Sequence, residues 1–210
     1  KSHAAAYAVV SYQTAWLKYY YPVEYMAALM TSVIDNPGKV AEYIYSCRQM
    51  GIKILPPDIN HGYSSFSVDN GSIRYGLAAI KSIGRPVIKE IVAERKANGE
   101  FKNLKDFIER MAGKEVNKRV IEHFIKSGAF DSLGGTRKQF MVVYIQLMDQ
   151  VSQERKYSMT GQMSLFDMVE RIRSRIDVPL PDVGEYEKKR GCLLKRSAGR
   201  VSERPSHGRI

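Results

Sequence analysis

The chain has 210 residues, with 33 lysines and arginines against 22 aspartates and glutamates, which gives a net charge of +11. Hydrophobic residues make up 44% of it and charged residues 26%, proportions of a globular protein rather than of a disordered chain. No apolar run reaches the roughly 18 residues of a membrane-spanning helix, and the apolar N-terminal stretch lacks the cleavage pattern of a signal peptide.

Cysteine usage and the uneven charge bear on where the protein works. Cys47 and Cys192 lie far apart without metal-ligand spacing, so we expect no disulfide framework or structural zinc site, and a cytoplasmic location fits. Residues 188–210 alone hold 8 basic groups and 1 acidic group, which weakens the net charge as an argument for a polyanion partner. The chain begins with Lys1 rather than Met, and we expect a fragment of a longer protein.

The first part of the chain predicts three helices and a small hairpin. Apolar residues at helical spacing predict a helix over 2–21, which Pro22 ends because proline lacks an N–H and restricts the residue before it. Pro22 then starts a second helix to about residue 33, and a turn at 35–38 leads to a third helix over 39–50. A short extended run covers 52–55, and alternating residues around the turn at 69–71 predict a β-hairpin.

Helices separated by glycines follow. The periodicity predicts helical pieces over 79–81, 86–98, 104–111, 118–127 and 137–156. After residue 156 the chain becomes polar and irregular, and 177–185, with two prolines, is typical of a linker. The predicted fold class is therefore mainly α, with one small β-hairpin, two similar helix-glycine-helix units at 78–95 and 118–145, and an irregular C-terminal tail.

Residues 80–88 fit the turn of a helix-hairpin-helix motif. Gly84 supplies the glycine of its apolar-x-Gly pattern, where the backbone must approach a ligand closely or take a positive φ. The N–H groups at the start of the next helix can bind a phosphate oxygen, and Pro86 removes one of them. Ser82 stands where such motifs commonly have a first glycine. The alternative is an ordinary pair of packed helices with solvated lysines.

A second candidate turn covers residues 125–130 and is followed by Arg137 and Lys138. Two such turns close in sequence, each with cations, predict contacts to a nucleic-acid backbone that do not read its base sequence. The predicted DNA-binding residues are Lys81, Ser82, Gly84, Arg85, Lys126, Ser127, Gly128, Arg137 and Lys138.

Two further patterns carry candidate binding residues. In the polar segment after 156, Gln162, Ser164, Leu165 and Phe166 form a short peptide with two adjacent apolar anchors. Such a peptide can dock into a partner's pocket, or it can cover the protein's own core as a hydrophobic staple. At the start of the first helix, Lys1 and His3 could hold a phosphate, although a terminal histidine is more often simply exposed.

The sequence predicts no catalytic residue and no metal ligand. It contains neither a phosphate-binding Gly-x-x-x-x-Gly-Lys loop nor metal-spaced cysteines and histidines. Two-metal phosphoryl transfer needs carboxylates that converge on ions about 3.5–4 Å apart. Asp35, Asp58, Asp69 and Asp106 are scattered over predicted turns and loops and do not supply such a site.

Four long motifs resemble the alpha subunit of bacterial DNA polymerase III, which belongs to the family C replicative DNA polymerases. They are KSHAAAYAVVSYQTAWLKYYYPVEYMAALMTS, MGIKILPPDINHGYSSFSV, IRYGLAAIKSIG and NKRVIEHFIKSGAFDSLG. The resemblance runs nearly continuously from Lys1 to about Glu187. It implies an enzyme that extends primers on a DNA template with dNTPs and Mg²⁺, in the bacterial cytoplasm, without a membrane.

The resemblance also implies a domain plan. Residues 1–70 correspond to the C-terminal part of the fingers, where Lys1 and His3 would contact a nucleotide or template phosphate. Residues 71–156 correspond to tandem helix-hairpin-helix units on duplex primer-template DNA. Residues 157–187 correspond to a linker with a sliding-clamp peptide, which Gln162, Ser164, Leu165 and Phe166 match.

The resemblance further implies which domains of the longer protein lie outside this piece. The palm with its catalytic aspartates and its Mg²⁺ site would precede Lys1, and domains that bind single strands and other replicase subunits would follow. We therefore expect the fragment to be inactive alone.

Residues 188–210 depart from the family pattern. Back-translated with free codon choice and shifted by one base, the stretch KRSAGRVSERPSHGRI reads Arg-Glu-Val-Leu-Gly-Val-Tyr-Leu-Ser-Gly-His-Pro-Met-Glu-Glu, which is the text the resemblance implies. We therefore expect a frameshifted, disordered tail without function. The alternative is a genuine basic extension that binds DNA. For the whole chain, the alternative function is a stand-alone, non-catalytic DNA-binding module associated with the clamp.

Overall fold

The computed structural model describes residues 2–160 and 180–184, and the side chains of 3–155 and 180–184. The chain opens with two consecutive helices, α1 (Ser2–Tyr20) and α2 (Pro22–Ser32). Pro22 lies in the first turn of α2, where its missing N–H has no intrahelical acceptor to lose. The side chains of α1 are exposed along its length, whereas α2 buries Met26, Ala27 and Met30.

Helix α3 (Pro37–Gln49) follows a short turn. It begins where it does because the side chain of Asn36 accepts a hydrogen bond from the backbone N–H of Lys39, at 3.2 Å. Its buried face, Val40, Ile44 and Cys47, lies at the three- and four-residue spacing of one helical stripe. Burial raises the pKa of the Cys47 thiol to about 11, so this thiol stays protonated at neutral pH.

Three short strands form a sheet with the order β1-β3-β2. They are β1 (Ile54–Leu55), β2 (Ser67–Asp69) and β3 (Ser72–Arg74). The predicted hairpin is the antiparallel pair of β2 and β3, while β1 pairs with β3 in parallel, a partner that the sequence pattern did not indicate. The sheet packs on α2 and α3 through Phe66, Ile73 and Tyr75, which completes a first hydrophobic core.

The second half is a helical bundle. A 3₁₀ turn (Leu77–Ala79) leads to α4 (Arg85–Asn98), α5 (Leu104–Met111) and α6 (Lys118–Ser127); a second 3₁₀ turn (Asp131–Leu133) then precedes α7 (Arg137–Thr160). Two asparagines start helices here, because Asn103 accepts from the N–H of Asp106 at 2.8 Å and Asn117 accepts from that of Val120 at 3.0 Å.

Phenylalanines fill the centre of this second core. Phe107 meets Phe130 edge to face with ring centroids 4.9 Å apart, and Phe124 meets Phe130 at 5.6 Å. Phe140 of α7 and Phe101 before α5 extend the cluster on either side. Three of the five rings lie on α5, α6 and α7 and two lie in the segments before α5 and after α6, so the cluster joins these three helices.

The segment around Ile59 ties the sheet region to the bundle. Its backbone N–H donates to the carbonyl of Ala129 at 2.9 Å, and its own carbonyl accepts from the buried Arg95 guanidinium at 2.8 Å. Asn60 exchanges two hydrogen bonds with the backbone of Phe101, at 2.9 and 3.0 Å. The predicted domain boundary after residue 70 stays a prediction. Ile59 precedes the hairpin of the sheet, yet its side chain belongs to the second core.

One predicted detail of the helix-glycine-helix units is wrong. The helical piece predicted over 79–81 is a 3₁₀ turn two residues earlier, because Ile80 leaves the helical region with a ψ of 125° as its side chain enters the core. In the second unit α6 and α7 begin where the sequence predicts, and the second 3₁₀ turn and Gly134 lie in the connection between them. No helix in the described part of the chain is long and apolar enough to cross a membrane.

Glu94 on α4 joins α4 to α5 and to the segment after it through ionic hydrogen bonds. Its carboxylate accepts from Lys114 Nζ at 2.6 Å, from Asn98 Nδ2 at 2.6 Å and from Arg110 Nε at 3.3 Å. These donors, Lys114 first, lower the pKa of Glu94 to about 2. A carboxylate with a lowered pKa stabilises the folded state above its ordinary pKa of 4.5, and this contribution is lost as the pH falls towards 2.

Replacing Glu94 with Gln is expected to lower the free energy of unfolding by about 1 kcal/mol at pH 7, because three donors lose an anionic acceptor. The difference from the unmodified chain should shrink as the pH falls from 4.5 towards 2, where the carboxyl group is itself neutral. Urea unfolding at several pH values measures this difference in the free energy of unfolding. Glu100→Gln, at an exposed position in the segment between α4 and α5, is the control. An E94Q difference that persists unchanged at pH 2 would contradict this account.

Candidate nucleic-acid interface

The first predicted turn, residues 80–84, lies between the first 3₁₀ turn and α4. Ile80 and Ile83 are both buried in the second core, whereas Lys81, Ser82 and Gly84 face outward. The positive φ of this turn falls on Ser82, at 67°, and not on Gly84, whose φ is −74°. A non-glycine residue in this region costs roughly 1–2 kcal/mol, so Ser82 occupies a position that glycine would fill more easily.

Gly84 is the N-cap of α4 and is open on its outer side. No side chain caps this helix start, so the first N–H groups of α4 are left to other acceptors. A Cβ atom placed on Gly84 would approach only Pro86 Cδ, at 3.5 Å. The glycine is therefore required neither by a positive φ nor by packing within the protein, and what it provides is an unobstructed approach to the backbone.

Helix α6 brings further cations to this turn. The Arg119 guanidinium donates to Ser82 Oγ at 3.3 Å, which places the first turn of α6 beside the hairpin. His123 lies one helical turn further along, and burial and the charges of Lys126, Arg119 and Lys81 all lower its pKa against the opposing charge of Glu122. We call Lys81, Ser82, Gly84, Arg119 and His123 the hairpin face.

Sequence reasoning missed Arg119 and His123. Arg119, His123 and Lys126 have the four- and three-residue spacing that places side chains on one face of a helix, which was a signal available in the sequence. The contact between α6 and the first turn is a tertiary contact, and no local sequence pattern indicates it. Of the predicted residues, Lys126 belongs to this side of α6, where it forms an ion pair with Glu122.

Arg85 is predicted to bind DNA and lies at the start of α4. Its guanidinium is 3.2 Å from Asp35 Oδ2, in the turn between α2 and α3. Both side chains are largely exposed, so this pair is worth little and can exchange for another anion.

The second predicted turn is closed by interactions within the protein. Gly128 ends α6 in the left-handed conformation with a φ of 85°, and a Cβ there would collide with the guanidinium of Arg137. Arg137 forms an ion pair with Asp131, and Ser127 Oγ donates to the carbonyl of Phe124 at 3.0 Å. Gly128 is buried, and Lys138 beyond it is partly exposed. The second turn thus resembles the first in sequence but not in accessibility.

The other candidate residues are exposed on α1 or lie outside the described residues. His3 is exposed on α1, with its ring 4.6 Å from that of Tyr7. Lys1, the peptide residues Gln162, Ser164, Leu165 and Phe166, and the tail 188–210 are not among the described residues. Within the described part of the chain, no three histidine, cysteine or carboxylate side chains come together in a way that could hold a metal ion.

Comparison with known proteins agrees with this geometry. A family model described as a helix-hairpin-helix motif matches residues 51–140, a range that contains both turns and most of the second core. The fold and the hairpin face thus define a protein with a helix-hairpin-helix region.

The relatives are more specific. The DNA polymerase III subunit alpha of Vibrio cholerae is 44% identical over 190 residues, which is 90% of this chain and 16% of that protein. Those of Mycobacterium tuberculosis H37Rv and Escherichia coli K12 are 40% and 44% identical over 93% and 84% of this chain, and 17% and 15% of their own lengths. The chain belongs to the DNA polymerase III alpha subunit family, and it spans about a sixth of the length of the curated relatives it matches.

The two turn glycines are expected to differ in what they do for the fold. Gly128→Ala should lower the free energy of unfolding by about 1–2 kcal/mol, because its φ is positive and its Cβ would displace the Arg137 side chain. Gly84→Ala should change it by less than about 0.5 kcal/mol, since the added methyl group makes only an ordinary van der Waals contact with Pro86 Cδ, at 3.5 Å. Urea unfolding of both variants measures this, and equal losses would show that Gly84 also has a structural role.

Proposed function

We propose that this chain is a segment of a replicative DNA polymerase whose hairpin face binds the backbone of duplex primer-template DNA. The observation that carries the proposal is the open, uncapped start of α4 at Gly84, next to Lys81 and Arg119. Uncapped N–H groups and cations form a site for a phosphate oxygen. The family supports this proposal, because its members are named as subunits of a DNA polymerase.

The two turns would contribute unequally. Lys81, Gly84 and Arg85, together with the backbone of Ser82, would supply direct contacts. Lys126 would add positive charge from the side of α6. Ser127, Gly128 and Arg137 would hold α6 and α7 in place, since their polar groups are bonded within the protein, and Lys138 would contribute charge at the edge of the second turn.

The polymerase reaction itself would belong to the parent protein. Template-directed addition of dNTPs requires Mg²⁺ held by converging carboxylates. The described residues do not fit such a site, so those carboxylates would come from elsewhere in the parent. In this segment, Lys1 and His3 would contact a nucleotide or template phosphate from the fingers side, and the parent would work in the cytoplasm with other replicase subunits.

We further propose that Gln162, Ser164, Leu165 and Phe166 dock on the sliding clamp. The peptide follows α7 in the sequence, and its two adjacent apolar anchors suit a hydrophobic pocket. This assignment depends on the resemblance of the four residues to the family's clamp peptide.

Lys81→Ala is expected to weaken binding to duplex DNA by about tenfold at 0.1 M salt and to lower the slope of log K against log salt by about 1, because one phosphate contact is lost. The loss should be the same for duplexes of different sequence, since a phosphate contact does not read bases. Fluorescence anisotropy over a salt series measures both. Lys96→Ala, at the far end of α4, removes the same charge and should bind like the unmodified chain; equal losses in the two variants would show that only net charge matters.

A double replacement of Leu165 and Phe166 with Ala should abolish binding to the sliding clamp and leave duplex binding unchanged, because the anchors would no longer fill the pocket. Surface plasmon resonance on immobilised clamp measures the first and anisotropy the second. Met163→Ala, inside the peptide but outside its four matching residues, is the control and should retain clamp binding. Retained clamp binding in the double variant would refute the docking assignment.

A further inference from the structure

Ser82 is unusual in the hairpin because it occupies a left-handed position although it has a side chain. Besides Asn70 in the β-hairpin turn, it is the one residue other than glycine in the described part of the chain with a positive φ. A glycine would take this conformation without strain and would leave the backbone N–H groups of the hairpin unchanged. What serine adds is its hydroxyl, and that hydroxyl accepts from Arg119.

Arg119 differs from Arg85, Arg110 and Arg137 in its partner. Those three each form an ion pair with a carboxylate. Arg95 also lacks a carboxylate partner, but it is buried and donates to the carbonyl of Ile59, whereas Arg119 is exposed. Arg119 donates to a neutral hydroxyl, and within residues 3–155 no ion pair neutralises it. A guanidinium has five N–H donors, so one bond to Ser82 leaves the others and the full charge available to an anion.

The charges around Arg119 are mostly positive. Lys118 and Arg119 occupy the first turn of α6, which has no acidic residue and where the helix dipole disfavours cations; Lys118 is paired with Asp149 at 2.7 Å, whereas Arg119 forms no ion pair within residues 3–155. At the neighbouring His123 the charges of Lys126, Arg119 and Lys81 oppose that of Glu122, which is itself paired with Lys126. An anion beside the Arg119 guanidinium would relieve the remaining repulsion, and Ser82, which contacts that guanidinium, is two residues before the uncapped start of α4 at Gly84.

We infer that Arg119 is a phosphate-binding residue of the hairpin face and that Ser82 is a positioning residue that holds its guanidinium there. One backbone phosphate would then be bound from two sides, by N–H groups at the start of α4 and by the guanidinium from α6. Two observations support this inference: a hydroxyl group at a backbone position that is strained for serine, and a guanidinium whose hydrogen-bond partner is uncharged. The inference rests on the proposed binding of duplex DNA and adds a residue and a geometry to it.

The test is a double-mutant cycle on duplex affinity with Ser82→Gly, Arg119→Ala and both together. Arg119→Ala should weaken binding about tenfold. Ser82→Gly should raise the melting temperature, because strain is removed, and yet weaken binding about threefold, because Arg119 is no longer held in place. The double variant should bind no more weakly than Arg119→Ala alone, since the hydroxyl acts through the guanidinium.

The outcomes separate this inference from the proposed function. If Ser82→Gly binds as tightly as the unmodified chain, or if the two losses multiply in the double variant, Ser82 does not position Arg119. If Arg119→Ala binds normally while Lys81→Ala is weakened, the hairpin binds DNA and the role of Arg119 is refuted. If neither Arg119→Ala nor Lys81→Ala weakens binding, both this inference and the proposed function are refuted. Arg119→Lys retains the charge without the planar fork, and we expect it to recover only part of the lost affinity.

Discussion

The burial of two isoleucines, one on either side of an exposed dipeptide, is the constraint on which the hairpin face depends. Ile80 and Ile83 both enter the second core, so the chain must reverse between them within two residues. That reversal requires the positive φ of Ser82 and leaves Lys81 and Gly84 on the outside. The phenylalanine cluster beneath keeps α6 against this turn, and the accessible backbone therefore follows from core packing rather than from a flexible loop.

The two turns show how similar sequences lead to different surfaces. Each has a glycine near cations, but at the second turn the carboxylates of Glu122 and Asp131 pair with the nearby cations, and Gly128 is buried under Arg137. Within residues 3–155, Lys81 and Arg119 at the first turn form no ion pair, and Glu122, three residues after Arg119 on α6, is paired with Lys126 instead. Pairing with acidic residues, and not the number of cations, thus distinguishes a surface that can attract a phosphate from one that is internally satisfied.

Local patterns in the sequence predicted most of the fold. The helix bounds agree to within a few residues because asparagine caps, Pro22 and the glycines act over one turn of chain. The parallel partner of β3 and the contact between Arg119 and Ser82 are long-range, and no periodicity in a single sequence indicates them. The same limit applies to Gly84: the sequence left open whether this glycine serves a positive φ or a close approach to the backbone, and the positive φ lies at Ser82 instead.

The most direct test of the central claim is the duplex affinity of Gly84→Val, compared with the unmodified chain by anisotropy at fixed salt. The backbone of Gly84 has dihedral angles that any residue can adopt, and a Cβ there would approach only Pro86 Cδ, at 3.5 Å, so the fold should be unaffected. A bulky side chain would, however, block the approach of a phosphate to the start of α4. The account predicts a loss of about tenfold in affinity with unchanged unfolding by urea. Unchanged affinity in a folded variant would contradict it.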